Sequence, residues 1–115
     1  MIRRRMIFFI GLLGIVAIGW LSLVPGDLRP HTPASGYVEH FVAYLAVAIC
    51  LCAGSDGRNK MALIVLALAA MSIALEVAQL GIPGRSGEIW GAVASSAGAM
   101  TGGVLAPAVQ RILRL

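Results

Sequence analysis

The chain reads as an all-α protein: an integral membrane bundle of four transmembrane helices with both termini cytoplasmic. Three observations predict this. Charged residues make up 12% of the 115 positions and hydrophobic residues 59%, whereas an ordinary soluble domain is about 25% charged. Four apolar runs, each close to the ~20 residues that cross a hydrocarbon core, are separated by short polar or Pro/Gly-rich segments. The basic side chains collect in alternate segments between those runs, as expected when they fix topology.

The length allows a single domain, 1–115, with helices expected at about 6–25, 38–54, 61–81 and 89–110. Arg3, Arg4 and Arg5 precede the first run, and Ile7 to Val24 follows as eighteen residues without a charge. A signal peptide also begins this way, but its apolar region is usually about 7–15 residues and ends in a small-x-small site. Trp-Leu-Ser-Leu-Val-Pro-Gly at 20–26 supplies no such site, so the run is expected to stay as the first helix. Pro25, Gly26, Pro30 and Pro33 make the next segment a loop. The second run opens with Glu39, His40 and Tyr44 and closes at Gly54. Asp56, Gly57, Arg58 and Lys60 form a polar turn before the third run, whose first fifteen residues, Met61 to Leu75, carry no charge. Glu76 and Gln79 then appear, followed by Pro83, Gly84 and Arg85. The last run, Ile89 to Val109, is uncharged, and Arg111 and Arg114 lie in the tail.

With a cytoplasmic N-terminus and four crossings, the inner side holds Arg3, Arg4, Arg5, Arg58, Lys60, Arg111 and Arg114, and the outer side only Arg29 and Arg85. A re-entrant second run would carry Arg58 and Lys60 outward and weaken that bias. The basic surplus therefore reads as a topology signal, and no nucleic-acid partner is expected. Four crossings also bring the end of run one, the start of run two, the end of run three and the start of run four to one level. Arg29, His31, Glu39, His40, Tyr44, Glu76, Gln79, Arg85 and Glu88 collect there.

Glu76 is the residue that most needs explaining. A carboxylate at mid-bilayer costs about 2.5–3.5 kcal/mol on insertion scales, less near the interface, so it calls for a partner. His40 and Tyr44 are four apart and share a helix face; a bond from either to Glu76 would relieve the burial of both groups. Such a network either fastens helix two to helix three or lines an outward pocket that binds a polar group or handles a proton. Arg85, at the same level, suits bidentate recognition of a phosphate or carboxylate or an internal salt bridge to Glu76, Glu39 or Glu88.

Gly98 and Gly102 form a small-x-x-x-small ridge, read as internal packing in preference to a dimer face. Ser95 and Ser96 lack the Gly-x-Ser-x-Gly elbow of a hydrolase nucleophile. Cys50 and Cys52, two apart on one helix, point to different faces and have no further ligand at metal spacing. No metal and no cofactor is expected. Trp20 and Trp90 suit an aromatic belt.

Four pieces of this sequence together carry a family resemblance: Ser22-Leu23-Val24-Pro25, His40-x-x-x-Tyr44, Glu76-x-x-Gln79 followed by Pro83-Gly84-Arg85, and Gly98-x-x-x-Gly102. In this order and spacing, over most of the chain, they resemble the VanZ-like family. That family comprises small bacterial membrane proteins named after a protein associated with low-level teicoplanin resistance, generally without an assigned activity. The chain departs from the pattern at Tyr37, where the family usually has a basic residue, and at Gly91 and Ser95, where it often has Asp and Asn. Glu88 lies nearby, three residues out of register.

The resemblance implies a protein of the bacterial cytoplasmic membrane and the cell envelope. Its outward cluster of His40, Tyr44, Glu76, Gln79 and Arg85 would bind a lipid-linked or cell-wall ligand and affect glycopeptide susceptibility, without catalysis. The partners it implies are membrane lipids, with a lipid-linked cell-wall precursor or a glycopeptide as ligand. Two alternatives stand beside it: a small accessory subunit of a larger membrane complex or homo-oligomer, and a membrane enzyme using Glu76 and His40 as an acid/base pair on a lipid.

Overall fold

A computed structural model describes residues 2–24, 36–82 and 89–115. Four helices account for most of them: α1, Ile2–Leu23; α2, Gly36–Ala53; α3, Arg58–Gln79; and α4, Ile89–Leu113. Each is long and apolar enough to cross a membrane. Where water is absent, a helix satisfies every interior backbone group within its own segment, which is why β-branched runs such as Ile64-Val65 remain helical here.

The helices start before the first three apolar runs and stop short of their ends, and the fourth runs past its end. α1 begins at Ile2 and takes in all three arginines, then stops at Leu23, short of 25. α2 starts at Gly36 and ends at Ala53, α3 starts at Arg58 and closes at Gln79, and α4 continues to Leu113. Hydropathy marks which residues can lie in hydrocarbon. It does not mark where the backbone stops coiling, and Arg and Lys are good helix formers. Between α2 and α3, Gly57 takes a φ of 87°, a conformation that side-chain-bearing residues seldom adopt. Pro107 sits inside α4, where its ring removes one backbone donor.

Contacts across the bundle fix an up-down-up-down order. Gly14 of α1 faces Val47 of α2, and Gly11 faces Leu51, so these helices run antiparallel. α4 runs parallel to α2: Gly91 lies near His40, Gly102 lies against Leu45, and Gln110 Nε2 donates to the carbonyls of Ala53 and Ser55 at 3.1 Å each. α3 opposes α4, with Glu76 at Gly91 and Val65 at Gly103. Both chain ends thus meet at one end of the bundle, where Arg4 pairs with Asp56 and also reaches the Leu115 carbonyl at 3.4 Å.

α2 is the central helix. Its Tyr44, Val47, Ala48 and Leu51 form the core with Leu68 and Ala99, and a second cluster joins Cys52 and Ala53 to Ala106. α1 buries only Gly11. Large apolar side chains such as Phe9, Val16, Leu66 and Val104 point outward, the arrangement of a protein whose solvent is lipid.

Candidate functional site

At the end of the bundle opposite the termini, three helices converge on Glu76. This residue lies in the last turn of α3 and is 9% exposed. His40, in the first turns of α2, places Nδ1 3.5 Å from Glu76 Oε1 and 3.4 Å from the carbonyl oxygen of Gly91. Both neighbours of Nδ1 are acceptors, so we assign a proton to that nitrogen. The imidazole therefore spans α3 and α4 from α2.

Gly91 makes this meeting possible. A Cβ at that position would collide with Glu76 Oε1 and would lie 3.3 Å from His40 Cε1. The carboxylate occupies the space that a side chain at 91 would fill. In the sequence Gly91 stands out only as a departure from the family pattern that the chain resembles. The one available signal was a glycine in the first turn of an apolar helix brought level with a buried acid.

Tyr44 lies one turn along α2 from His40 and is 4% exposed, within the main core cluster. Gln79 is also buried, but its Nε2 donates to the Ser22 carbonyl at 3.0 Å. It ties α3 to the last turn of α1 and is not part of the His40–Glu76 contact. Gly98 and Gly102 lie against the Phe41 and Leu45 carbonyls, where a Cβ at either position would meet backbone. They bring α4 onto α2. Arg85, Arg29, His31 and Glu88 lie outside the described residues. Ser95 is 1% exposed one turn along α4 from Gly91, and Ser72 donates back to the Ala69 carbonyl at 2.7 Å within its own helix.

A groove of about 700 Å³ runs between α3 and α4 beside this cluster. Among the described residues its walls are apolar apart from Glu76 and Ser96, and Glu76 is the one ionisable side chain on them. The volume lies within the ~300–1,000 Å³ typical of small-molecule sites. An acid and an imidazole, held together beside an apolar slot, can accept and donate hydrogen bonds to a polar group whose remainder is hydrocarbon. Among the described residues no group of three His, Cys, Asp or Glu side chains is placed to hold a metal ion. Compared with protein-family models, with curated proteins and with solved structures, the chain matches none.

Proposed function

We propose that the chain is a VanZ-like multi-pass protein of the bacterial cytoplasmic membrane, with both termini cytoplasmic. Its His40–Glu76 cluster, at the extracytoplasmic end, binds a lipid-linked or cell-wall ligand without transforming it and thereby changes glycopeptide susceptibility. The observation that carries this reading is the 3.5 Å approach of His40 Nδ1 to Glu76 Oε1 on the wall of an apolar groove. The orientation is supported by Arg3, Arg4, Arg5, Arg58, Lys60, Arg111 and Arg114, all carried by the end of the bundle opposite Glu76. The accessory-subunit reading needs an outward ridge of small residues, and Gly98 and Gly102 are both spent on α2.

The test is a deletion strain assayed for teicoplanin and lipopeptide sensitivity, complemented with the wild type or with Glu76→Gln. The expected outcome is that wild type restores the parental phenotype and Glu76→Gln does not, while both reach the membrane in equal amount. A variant that vanishes from the membrane would assign the carboxylate to folding alone.

A second reading, acid/base chemistry on a lipid, is favoured by the same pair, since an imidazole next to a carboxylate is a common general-base arrangement. Turnover of labelled lipids in proteoliposomes, lost in His40→Gln, would establish it in place of simple binding.

A further inference from the structure

The end of the bundle that carries both chain ends is strongly basic. Seven of the nine Lys and Arg residues lie there. Among the described residues they face one acidic side chain, Asp56, which Arg4 already takes. The other six, Arg3, Arg5, Arg58, Lys60, Arg111 and Arg114, are all exposed. None of their side chains has an ion pair or hydrogen bond among the described residues. Charges of one sign gathered without counter-charges create a field that an anionic partner relieves.

The depth of these cations identifies the partner. Because α1 begins at Ile2, α3 begins at Arg58 and α4 continues to Leu113, five of the six are built into regular helix, which rises about 1.5 Å per residue. Arg5 and Lys60 stand one step outside the apolar residues Met6 and Met61, Arg3 and Arg58 stand three steps outside, and Arg111 lies two steps beyond Val109. They are thus about 1.5–5 Å from the apolar runs along the helix axis. The polar layer on each side of the hydrocarbon core is about 5–7 Å deep, so these cations lie at the level of lipid head groups.

They also face sideways. Arg4 is turned into the bundle, toward Asp56. Successive helical residues are about 100° apart, so Arg3 and Arg5 leave α1 on either side of Arg4. Arg58 and Lys60 diverge from α3 in the same way. All six belong to α1, α3 and α4 with the turn that ends it, whereas the end of the central helix α2 carries none, and Ala53 and Ser55 there are buried. The cations therefore flank the bundle and leave the middle of its end face uncharged. A soluble acidic protein would meet that end face. Bilayer lipids meet the flanks.

We propose that these six residues form a belt that binds the head groups of anionic phospholipids, phosphodiesters without a balancing ammonium, of the phosphatidylglycerol type. A guanidinium takes phosphate oxygens in pairs, and a zwitterionic head group offers the same phosphate with its charge cancelled. The belt lies at the opposite end from Glu76. It serves on whichever side of the membrane that end faces, so it goes beyond the reading of the Glu76 cluster and does not rest on it.

The experiment is tryptophan quenching by brominated lipids in nanodiscs. The full chain carries Trp20→Phe and Trp90→Phe together with one reporter at an exposed apolar position of α1, α3 or α4: Ile10→Trp, Leu66→Trp or Val104→Trp. Each reporter lies about 6–7 Å inside the end of its apolar run. In phosphatidylcholine discs, dibromo-phosphatidylglycerol is expected to associate about fivefold more strongly than dibromo-phosphatidylcholine at each reporter, the scale of one cation at an anionic lipid surface. The natural Trp20 and Trp90, at the other end of the bundle, should show less preference. Arg3→Gln with Arg5→Gln should bring the Ile10→Trp reporter to parity and leave Leu66→Trp selective, and Arg58→Gln with Lys60→Gln should do the reverse. Arg3→Lys with Arg5→Lys keeps the charge and should keep the preference, which about 0.5 M salt should weaken.

Equal quenching by the two lipids at all three reporters would overturn the proposal, as would a preference that survives the glutamine pairs. A preference confined to one reporter would replace the belt with a single pocket. Parity between the lipids, together with saturable binding of labelled polyglutamate to the discs, would give the cations to a protein partner instead. None of these readouts involves Glu76 or drug susceptibility, so the belt and the Glu76 site stand or fall separately.

Discussion

Helix α4 meets its two main neighbours in different ways. Toward α2 it presents Gly98 and Gly102, so its backbone comes up against the Phe41 and Leu45 carbonyls with no side chain between. Toward α3 it presents Val93, Ala97 and Met100, and the two helices stand apart around a slot of about 700 Å³. Lipid-solvated helices gain little from hiding apolar surface, so close approach must come from packing and polar contacts. Glycines supply that approach along α2. Toward α3 they do so at Gly91, against Glu76, and at Gly103, against Val65, and the slot lies between those two contacts.

The largest expected effect comes from breaking the tight side. Gly98→Val would drive a branched side chain into the Phe41 carbonyl, which belongs to backbone and cannot swing away. Overpacking of this kind costs about 3 kcal/mol, and reversible unfolding in mixed micelles would measure it. Gly19 of α1 is the matched control, since nothing lies within 4 Å of a Cβ built there. Gly19→Ala should therefore change stability by less than about 0.5 kcal/mol. Equal losses from the two variants would mean that α4 does not rely on its glycines to reach α2.

Gly91→Ala tests the junction of the two sides. The new methyl group would collide with Glu76 Oε1 and press on His40, but the carboxylate ends a flexible side chain that can turn. The stability loss should be smaller, about 1 kcal/mol, at the lower end of overpacking costs. Function should suffer more than stability: displacing the carboxylate is expected to reproduce the susceptibility phenotype of Glu76→Gln. Wild-type susceptibility in Gly91→Ala would show that the His40–Glu76 approach is not what the site uses.

These contrasts explain what the sequence could and could not reveal. The number of helices and the level at which His40 and Glu76 meet follow from counting apolar runs, because each crossing reverses direction and brings alternate ends together. The helix ends were less legible, since Arg3 to Arg5 and Arg58 to Lys60 coil as readily as the apolar residues beside them. The part that Gly91 plays was not legible, because the missing side chain matters only through what fills its place. The groove was also hidden: it depends on the spacing of α3 from α4, which hydropathy does not encode. Gly98 and Gly102 were recognisable as a ridge, and the helix they face, α2, emerges only from the fold.

Gln79 gives the smallest effect and the finest division within the polar inventory. It sits three residues beyond Glu76, close enough in sequence to be grouped with it, yet its Nε2 reaches the Ser22 carbonyl on α1 at 3.0 Å. If it only ties α3 to α1, Gln79→Leu should cost about 0.6 kcal/mol, the average for a hydrogen bond between membrane helices. The carbonyl it leaves belongs to the last turn of α1, close to the helix end, where other donors can reach it. Susceptibility should then match the wild type, because the His40–Glu76 contact does not pass through Gln79. Loss of the phenotype with stability preserved would return Gln79 to the binding cluster and make the α1 contact a resting position of its side chain.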